Sequence, residues 1–598
     1  MQYQNIYQML CATTEKFAEQ AAYFHKVDDN WQKVTWQELK ELADNFALAL
    51  LEKGLKPGDT VSILAGNDLA WPVADIGTIA AGGIGVGLYP SSSPEQCAYI
   101  LKHSNSKFVV VDSNEQLQKI LQIREQIPQL TIISKVSHPD VISWEDFLRQ
   151  GSSDMWDTYQ DVANNRSYED TVVIVYTSGT TGHPKGACLS NRYIISSCIA
   201  LDKVFEVVRS DTLLDNEEEL FVSLSFLPFC HVAERISGMY ARMYSGFSAY
   251  LIDNIAKLFS YIEELSPHIF GGLPRFYEKI YAKILNDVEQ GKINKDDFDK
   301  AIAINKKVVD LRNDNQTLAA NLYKDWKWAE ANIYSKVRSN FGSRIVSCSS
   351  GAAPIPKEVL DFFLYASNLN ILEAYGLTEF VCCAFSTPRA HRANSVGKPM
   401  YGCEIKIAED GEILLKGPQM FSGYYNDEKA TKEVISEDGW LHTGDIGKLD
   451  EDSFLYITGR KKEFIKTSTG KKIAPLYIEN LCKRNHLLSN IMVYGDNKKY
   501  LTAIITLNEL ELKSYAQIHN IVFDNYSDLT KKPQIQEIVA KVISEVNEQI
   551  SRTEQIKKYT ILDKDFTIEG DEITPTGKVK RRIINKKYHD VIESMYSD

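Results

Sequence analysis

The chain has 598 residues, of which 44% are hydrophobic and 25% are charged, and its formal net charge is −13. This length corresponds to roughly three or four domain-sized units, and the composition is that of an ordinary globular protein able to bury a sizeable core. The acidic balance argues against general nucleic-acid binding, which requires a basic face.

Ten cysteines are scattered without C-x-x-C pairs, a pattern that favours reduced thiols over a zinc site or a disulfide framework. Residues 1–14 lack the basic and apolar regions of a signal peptide. No apolar run approaches the roughly 18–20 residues that span a bilayer. The sequence therefore predicts a cytoplasmic protein with no nucleic-acid partner. It leaves open a peripheral contact with the inner face of the membrane and assembly into a homodimer.

The first part of the chain alternates predicted helices with predicted strands. Apolar residues at helical spacing predict helices over 36–55 and 74–81. Short apolar runs predict strands at 61–64, 85–88, 108–112 and 131–134. This alternation predicts an α/β domain with a largely parallel sheet. The glycine-rich stretch 82–87 lacks the G-x-G-x-x-G spacing of a dinucleotide site, so we interpret it as a helix-to-strand turn.

A loop rich in glycine, serine and threonine follows the next predicted strand, at 171–176, and reads T-S-G-T-T-G-H-P-K-G. Ser190 and Asn191 after it can cap a helix. Free N–H groups, hydroxyls and the Lys185 ammonium would then form an anion cradle at a helix start, suited to a triphosphate. A flexible Gly/Ser turn is the alternative, and the strand–loop–helix setting and the final Pro-Lys-Gly argue against it.

Two further segments lie between this loop and the middle of the chain. The predicted strand 221–227 leads into L-P-F-C-H-V-A-E-R, and so places His231 at a strand end, where α/β sheets commonly bind ligands. The alternative is that His231 has only a structural role. We interpret Arg235, in the same segment, as a structural residue rather than a site residue. The second segment, G-G-L-P-R-F-Y-E-K-I at 271–280, precedes a helical insert over about 280–340, whose charges predict a solvated helix face.

Two turns of small residues follow the predicted strands 344–349 and 371–373, and they read S-S-G-A-A-P and A-Y-G-L-T-E. Such turns can admit a flat base against the backbone, and Tyr375 offers a ring for stacking. Thr378 offers a hydroxyl to a phosphate, and Glu379 offers a hard oxygen ligand to Mg²⁺. A helix-capping Thr-Glu pair is the alternative interpretation of these two residues.

The last third of the chain carries three polar motifs. In W-L-H-T-G-D the carboxylate of Asp445 can accept two donors at once. The G-R-K-K run at 459–462 is either part of a site or a basic surface turn. A small α+β domain is indicated by two strands and an amphipathic helix, predicted at 491–494, 501–507 and 535–550. Near its end T-P-T-G-K places Lys578 directly after a glycine.

Taken together, these motifs resemble those of the adenylate-forming superfamily, which includes acyl-CoA synthetases, luciferases and peptide-synthetase adenylation domains. S-G-T-T-G-x-P-K-G resembles its phosphate loop, and Y-G-x-T-E, W-x-x-T-G-D and T-P-T-x-K resemble its other nucleotide motifs. L-P-x-x-H-x-x-E-R, G-x-P-R-x-Y-E-K-I and the helical insert resemble the long-chain branch. The matches run from Thr35 to Arg582, and the chain is most similar to bacterial long-chain fatty acid–CoA ligases, which are AMP-forming acyl-CoA synthetases.

The resemblance implies a fold and a set of site residues. The fold would be a large α/β domain over 1–459 with mostly parallel sheets and a small, hinged α+β lid domain over 460–598, with the hinge at Lys462. The implied catalytic residues are Lys185, His231 and Lys578. The implied ligands of Mg²⁺ are Glu379 and Thr177. The implied ATP- or AMP-binding residues are Thr177, Ser178, Gly179, Thr180, Thr181, Gly182, Lys185, Gly351, Ala352, Tyr375, Gly376, Thr378, Asp445, Arg460 and Lys578. The implied CoA-side residues are Lys466, Ser468, Thr469 and Gly470.

The implied activity is MgATP-dependent adenylation of a fatty acid with release of pyrophosphate, followed by transfer of the acyl group from acyl-AMP to CoA. ATP and CoA would be substrates and Mg²⁺ the metal. A fatty acyl-AMP ligase, which passes the acyl group to a carrier protein, is the main alternative. An amino-acid adenylation domain would need a carboxylate-and-amine pocket and usually stands beside a carrier domain. A pseudoenzyme would be expected to lose Lys578, Glu379 or Asp445.

Two positions depart from the pattern of the long-chain branch. Gly577 stands where many long-chain members carry an apolar residue, and Ser468 and Thr469 stand where relatives often carry glycine or alanine. If this second loop walls the pantetheine passage, Thr469 would narrow it. The preferred acyl chain length is not readable from the sequence.

Overall fold

The computed structural model describes residues 3–177, 184–211, 221–313, 316–392, 394–468, 470–485, 487–567, 570–574 and 577–597. Its helices are α1 (Ile6–Phe17), α2 (Trp36–Glu52), α3 (Ala70–Ala80), α4 (Pro94–His103), α5 (Asn114–Gln122), α6 (Trp144–Arg149), α7 (Trp156–Asn165), α8 (Asn191–Asp211), α9 (Ala241–Ser245), α10 (Leu258–Leu265), α11 (Pro274–Glu289), α12 (Lys295–Asn313), α13 (Ala320–Ala329), α14 (Ser335–Arg338), α15 (Lys357–Ser367), α16 (Glu428–Val434), α17 (Pro475–Cys482), α18 (Glu509–Ile518), α19 (Tyr526–Leu529), α20 (Pro533–Gln549), α21 (Arg581–Lys587) and α22 (His589–Ser594).

Its strands are β1 (Ala21–Val27), β2 (Asn30–Thr35), β3 (Thr60–Leu64), β4 (Ile84–Gly87), β5 (Phe108–Val111), β6 (Thr131–Ser134), β7 (Ile142–Ser143), β8 (Thr171–Thr177), β9 (Lys185–Ser190), β10 (Val222–Ser225), β11 (Ser248–Leu251), β12 (Ile269–Gly272), β13 (Ser347–Ser350), β14 (Ile371–Leu377), β15 (Phe380–Phe385), β16 (Lys398–Pro399), β17 (Glu404–Ile407), β18 (Glu412–Lys416), β19 (Gly423–Tyr424), β20 (Leu441–Leu449), β21 (Leu455–Arg460), β22 (Ile465–Lys466), β23 (Lys472–Ile473), β24 (Leu488–Tyr494), β25 (Leu501–Leu507) and β26 (Ile556–Ile561). Short 3₁₀ turns and two π-helical segments, Glu234–Tyr240 and Glu330–Tyr334, complete the secondary structure.

Two large sheets carry most of the fold. One has nine strands in the order β16-β15-β14-β13-β12-β10-β11-β1-β2, and the other has eight in the order β19-β9-β8-β4-β3-β5-β6-β7. Every pairing from β14 to β1 in the first sheet is parallel, and so is every pairing from β8 to β7 in the second. The predicted α/β class with mostly parallel sheets is confirmed. Both sheets therefore present several strand ends at one edge, where ligands bind in such folds.

The helices and strands predicted for the first part of the chain form because the residues that specify each element lie within it or next to it. The helix predicted over 36–55 is α2, which begins with a capping box: the Glu38 N–H donates to Thr35 Oγ1 at 3.1 Å, and the Thr35 N–H donates to Glu38 Oε2 at 2.7 Å. Its apolar face, which includes Leu39 and Phe46, is fully buried. Strands β3 and β5 are buried on both faces, as central parallel strands require.

The glycine-rich stretch 82–87 begins with the predicted helix-to-strand turn, at Gly82 and Gly83, and continues as strand β4. Gly82 has a φ of 87°, a left-handed conformation that favours glycine. A Cβ on Gly87 would lie 2.8 Å from the Cα of Cys230. Glycine at this position therefore allows β4 to approach the segment that carries His231.

The helix predicted to be capped by Ser190 and Asn191 is confirmed as α8, but strand β9 lies between it and the phosphate-loop motif and was not predicted. Residues 178–183 lie outside the described residues, but β8 before them and β9 after them form an antiparallel pair. Helix α8 begins only at Asn191, where Ser190 Oγ accepts the N–H of Tyr193 at 3.3 Å. Strand β9 is stabilised by pairing with β8 on one side and with β19 on the other. This long-range pairing leaves no local signal in the sequence.

The last part of the chain forms smaller sheets. Strands β17, β18, β20 and β21 make an antiparallel sheet, and a 3₁₀ turn, Lys461–Glu463, follows β21. Strands β24, β25 and β26 then pack with α17 and α20 around a separate apolar core. The strands predicted at 491–494 and 501–507 and the helix predicted at 535–550 are all present. Among the described residues, no helix is both long and apolar enough to span a bilayer.

Candidate active site

The Tyr424 side chain contacts both Lys185, from the phosphate-loop motif, and Glu379, from the Y-G-L-T-E motif. Lys185 begins β9 and is the register partner of Thr177 at the end of β8. The Lys185 Nζ lies 5.1 Å from the centroid of the Tyr424 ring, and the Tyr424 hydroxyl donates to Glu379 Oε1. A cation–π contact orients an ammonium without neutralising it. The charge of Lys185 therefore stays available to a bound anion.

The turn that presents Thr378 and Glu379 is shorter than the sequence predicts. Strand β14 continues through 374–377 because it pairs with β15, so the turn contains only these two residues. The Tyr193 hydroxyl on α8 donates to the Thr378 carbonyl oxygen at 2.9 Å, and the Glu379 carbonyl oxygen accepts the N–H of Phe421 at 2.9 Å. These bonds fix the turn from two neighbouring elements.

The small residues of the two predicted adenine turns lie on adjacent parallel strands. Gly351 and Ala352 follow β13, and a Cβ on Gly351 would lie 3.3 Å from the Ala374 carbonyl oxygen on β14. Ala352 is exposed and has a φ of 67°, which is uncommon for a residue other than glycine. A Cβ on Gly376 would clash with the Val381 carbonyl oxygen on β15. The hairpin itself therefore requires glycine at 376.

Asp445 already holds two donors in the structure. The Tyr375 hydroxyl donates to its Oδ2 at 2.6 Å, and the Arg460 Nε lies 2.9 Å from its Oδ1. Asp445 and Arg460 are register partners on β20 and β21, and Asp445 is 3% exposed. A carboxylate offers about four lone-pair sites, so acceptor capacity remains for a ligand.

His231 presents a neutral ring to the site. Its Nδ1 accepts the N–H of Ala233 at 3.2 Å, which assigns the ring proton to Nε2 as a donor. Burial, and then the nearby ammonium of Lys578, lower the pKa of His231 to about 4. The imidazole is therefore uncharged at pH 7 and can donate one hydrogen bond.

Arg235 belongs to the core beneath His231. It is fully buried and forms an ion pair with Asp75, with the Arg235 Nε 3.1 Å from Asp75 Oδ2. The Tyr240 hydroxyl also donates to Asp75, and a Cβ on Gly85 would clash with the pair. This geometry supports the structural interpretation of Arg235.

Lys578 lies on a tight turn of the C-terminal part. The Lys578 N–H donates to Thr574 Oγ1 at 3.0 Å, and the Thr574 N–H donates to the Lys578 carbonyl oxygen at 2.8 Å. Gly577 has a φ of 76°, a conformation that an apolar side chain would strain. Glycine at this position therefore follows from the geometry of the turn.

The Lys578 residue is exposed, and its ammonium lies within electrostatic range of residues from three other motifs. Partial desolvation lowers its pKa, Arg460 lowers it further, and the carboxylates of Asp445 and Glu379 act in the opposite direction. His231 also lies within electrostatic range of Lys578. Residues that are far apart in the sequence therefore lie within electrostatic range of the Lys578 ammonium.

The predicted CoA-side residues form a separate turn in the small domain. The Lys466 N–H donates to Asp496 Oδ1 at 3.0 Å, and the Ser468 N–H donates to the Lys498 carbonyl oxygen at 3.0 Å. Gly470 has a φ of 82°. Thr469, like Ser178, Gly179, Thr180, Thr181 and Gly182 of the phosphate loop, lies outside the described residues.

The sequence analysis missed Tyr424 and Glu373. Tyr424 follows a glycine in S-G-Y-Y-N and carries no charge or metal-ligand pattern that would mark it. Glu373 lies two residues before Tyr375 on β14 and is 7% exposed. Its Oε2 has no hydrogen-bond partner among the described residues. Burial raises the pKa of Glu373 to about 8, so this carboxyl is protonated at pH 7.

Glu373→Gln is expected to raise the melting temperature at pH 9 and to change it little at pH 5. Because the pKa is raised from 4.5 to about 8, the folded chain binds more protons than the unfolded chain between these values. Wild-type stability therefore falls as the pH rises through this window, whereas the amide does not titrate. Thermal unfolding from pH 5 to pH 9 measures the difference, with the exposed Glu404→Gln as control. An identical pH dependence in wild type and Glu373→Gln would contradict the assignment.

Comparison with known proteins was made over the whole chain. Residues 12–425 match the AMP-binding enzyme family, and residues 462–598 match the AMP-binding enzyme C-terminal domain. The chain belongs to the AMP-binding enzyme family. The resemblance to the adenylate-forming superfamily is thereby confirmed, from the motifs to the small C-terminal part.

Two relatives of this AMP-binding enzyme match it over almost its whole length. The long-chain-fatty-acid–CoA ligase ACSBG2 of Xenopus laevis is 34% identical, over 99% of this chain and 84% of the relative. The long-chain-fatty-acid–CoA ligase ACSBG1 of Homo sapiens is 31% identical, over 99% and 85%. These relatives confirm the similarity to the long-chain branch.

Solved structures establish the fold of the AMP-binding enzyme. The anthranilate CoA ligase AuaEII, in complex with anthranoyl-AMP, superposes with a TM-score of 0.74 at 18% identity and covers 99% of both chains. ATP-bound MatB from Rhodopseudomonas palustris superposes with a TM-score of 0.71 at 19% identity, over 98% of this chain and 99% of the other. The α/β architecture with a small C-terminal part is common to all three.

Proposed function

We propose that this enzyme is a long-chain fatty acid–CoA ligase, which converts a fatty acid, ATP and CoA into acyl-CoA, AMP and pyrophosphate. Two relatives with this name are 34% and 31% identical over 99% of the chain. The observation that carries the proposal is the set of contacts that joins the motif residues, in which Asp445 pairs with Arg460 and Tyr424 contacts both Lys185 and Glu379. The Lys578 ammonium of the C-terminal part lies within electrostatic range of the same residues.

The proposed chemistry begins with two anions that repel each other. The fatty carboxylate must attack the α-phosphorus of the triphosphate, so positive charge has to lie near both reactants. Lys185 and Lys578 supply ammonium groups that stabilise charge in the transition state. The His231 Nε2–H is placed to donate to the acyl carboxylate without adding a charge. Alignment of the two reactants contributes much of the remaining acceleration.

The nucleotide is proposed to lie along the ends of β13 and β14. Gly351, Ala352 and the Tyr375 ring would face adenine, and Gly376 belongs to the hairpin beside them. The ribose hydroxyls would bind Asp445 and Arg460, with Tyr375 holding the carboxylate in place. The phosphates would follow Thr177, residues 178–182 and Lys185, with the α-phosphate near Thr378.

The residues present fit a Mg²⁺ ion beside the triphosphate. Tyr424 occupies Glu379 Oε1, which leaves Oε2 as a hard oxygen ligand, and Thr177 offers a hydroxyl. Mg²⁺ usually takes one or two carboxylates together with phosphates and waters, so this donor set is sufficient. The bound ion would offset negative charge on the phosphates. Tyr424 fixes the rotamer of the carboxylate that would hold it.

Transfer to CoA is proposed to follow a rotation of the small domain. We place the division between 1–459 and 460–598, with the pivot at Lys462. In the structure Lys578 lies within electrostatic range of Asp445, Arg460 and Glu379. After the rotation, the turn with Lys466, Ser468, Thr469 and Gly470 would face CoA. The thiolate of CoA would then attack the acyl-adenylate, so no side-chain nucleophile is required.

Glu379→Gln is expected to lower adenylation on the order of 10²-fold and to raise the Mg²⁺ concentration needed for half-maximal rate. The amide keeps the size but loses the charge that holds the ion. Tyr424→Phe removes only the hydrogen bond to Glu379 and should raise the half-maximal Mg²⁺ concentration less. Titration of Mg²⁺ against pyrophosphate release measures both. An unchanged half-maximal concentration in Glu379→Gln would count against Glu379 as a ligand.

The decisive experiment is an assay of pyrophosphate release and CoA consumption across fatty acids of graded length. We expect pyrophosphate release with long-chain substrates and an equal consumption of CoA. Release without consumption of CoA would favour a fatty acyl-AMP ligase that serves a carrier protein. No release with any fatty acid would show that the proposed function is wrong.

We also propose that the enzyme acts in the cytoplasm. All ten cysteines are free, which agrees with a reducing compartment. A peripheral contact with the inner face of the membrane would bring the enzyme to its apolar substrate. Sedimentation with lipid vesicles tests that contact, and light scattering tests for a homodimer.

A further inference from the structure

Glu412, the first residue of β18, connects two parts of the site. The side chain is buried, with 4% of the residue exposed. Its Oε1 accepts the N–H of Gly444 at 2.9 Å. Its Oε2 lies 3.1 Å from the His442 Nδ1 and 2.8 Å from the Lys461 Nζ. One carboxylate therefore contacts both the part of β20 that precedes Asp445 and Lys461, the residue after β21.

Lys461 directly precedes the proposed pivot at Lys462. It has a second partner, Asp410, at 2.6 Å, but the Asp410 side chain is 52% exposed whereas that of Glu412 is 5% exposed. Exposed ion pairs contribute little to stability, and loss of one partner from a buried pair costs far more. Glu412 is therefore the buried partner of Lys461, and Asp410 is its exposed partner.

A second anchor holds the chain just after the pivot. Glu463 Oε2 lies 3.5 Å from the Arg581 Nε. Arg581 also pairs with Glu479 and donates from Nη1 to the Val493 carbonyl oxygen at 3.0 Å. Lys462 itself is exposed. The residues on its two sides are thus tied to different parts of the protein.

We propose that Glu412 is a positioning residue that ties Lys461, directly before the pivot, to strand β20, which carries Asp445, so that the small domain rotates about Lys462 alone. The inference rests on the proposed function, which requires two orientations of the small domain. Rotation about a single residue returns Lys578 to the same position in each cycle. Adenylation needs this accuracy, because a misplacement of about 1 Å can cost roughly 10²-fold in rate.

Amide hydrogen exchange tests the anchor without any substrate. Glu412→Gln keeps an oxygen for the Gly444 N–H but removes the charge opposite Lys461. We expect exchange over 459–464 to accelerate on the order of tenfold, while exchange of the Gly444 amide changes little. Lys461→Met removes this ion pair together with the exposed pair to Asp410. It therefore tests the anchor even if the buried Glu412 substitution disturbs folding.

The double variant Glu412→Gln with Lys461→Met should exchange no faster than Lys461→Met alone, because Lys461→Met already removes the contact with Glu412. Glu404→Gln on β17 of the same sheet removes an exposed charge and should leave exchange over 459–464 unchanged. Faster exchange in the two single variants without additivity supports the anchor. Unchanged exchange in both, or full additivity in the double variant, overturns it.

A kinetic test separates positioning from a merely structural role. Lys462→Pro is expected to block the second half-reaction by freezing the pivot. If Glu412 confines the rotation to one residue, adding Glu412→Gln should let Lys461 take up part of the rotation and restore thioester formation several-fold. A structural role predicts a further loss instead, and that result would overturn the inference. Failure of the proposed function would appear separately, as absence of pyrophosphate release by the wild-type enzyme.

Discussion

Lys578→Ala is expected to lower the rate of acyl-adenylate formation by about 10²–10³. The ammonium lies within electrostatic range of Asp445, Arg460 and Glu379, and with substrates bound it would contact both the carboxylate and the α-phosphate. Its charge matters most when these two anions approach each other. Pyrophosphate release that depends on the fatty acid measures this step, and preformed acyl-adenylate should still react with CoA in the variant.

Lys580→Ala is the matched control for Lys578→Ala. This neighbouring ammonium pairs with Asp571, away from the cleft, so its loss should leave adenylation nearly unchanged. Because desolvation lowers the pKa of Lys578, wild-type adenylation should decline at a lower pH than an ordinary lysine would allow. Lys578→Arg should move that decline to higher pH. If the reaction of acyl-adenylate with CoA falls as far as adenylation in Lys578→Ala, the assigned role is wrong.

Lys462→Pro is expected to spare adenylation and to slow thioester formation on the order of 10²-fold. Lys462 lies in the 3₁₀ turn Lys461–Glu463, where φ is about −50 to −70°, a range that proline accepts. The structure holds Lys578 in the cleft, so proline should freeze the adenylating orientation. Proline also disfavours a helical conformation at Lys461, which is expected to cost adenylation a small part of its rate.

Pre-steady-state measurement of both half-reactions decides the outcome for Lys462→Pro. Lys462→Ala, which removes the side chain and keeps the backbone free, should retain both steps. Equal loss of both steps in Lys462→Pro, in a protein that still binds ATP normally, would show that Lys462 is not the pivot. A selective loss of adenylation would show that the structure represents the other orientation.

Elements with local signals were predictable from the sequence. The capping box of Thr35 and Glu38 lies within four residues, so the start of α2 was visible. Continuous β-branched runs marked β3, β5 and β8 because central parallel strands are buried on both faces. Strand β9 was missed, since its small residues carry no periodicity and its stability comes from β8 and β19. For the same reason the end of β14 was placed four residues too early.

The sequence by itself determined the family and the identity of the motif residues, because Lys185, Glu379, Asp445 and Lys578 stand in short patterns that are recognisable one by one. Only the tertiary structure decided how they meet. Tyr424 joins Lys185 to Glu379 through a strand pairing across more than two hundred residues. Burial, which no local pattern reports, raises the pKa of Glu373 and places the Glu412 carboxylate between Gly444 and Lys461. Charge, hydrogen bonding and desolvation at these positions depend on the packing of distant segments, and so they appear only in the folded chain.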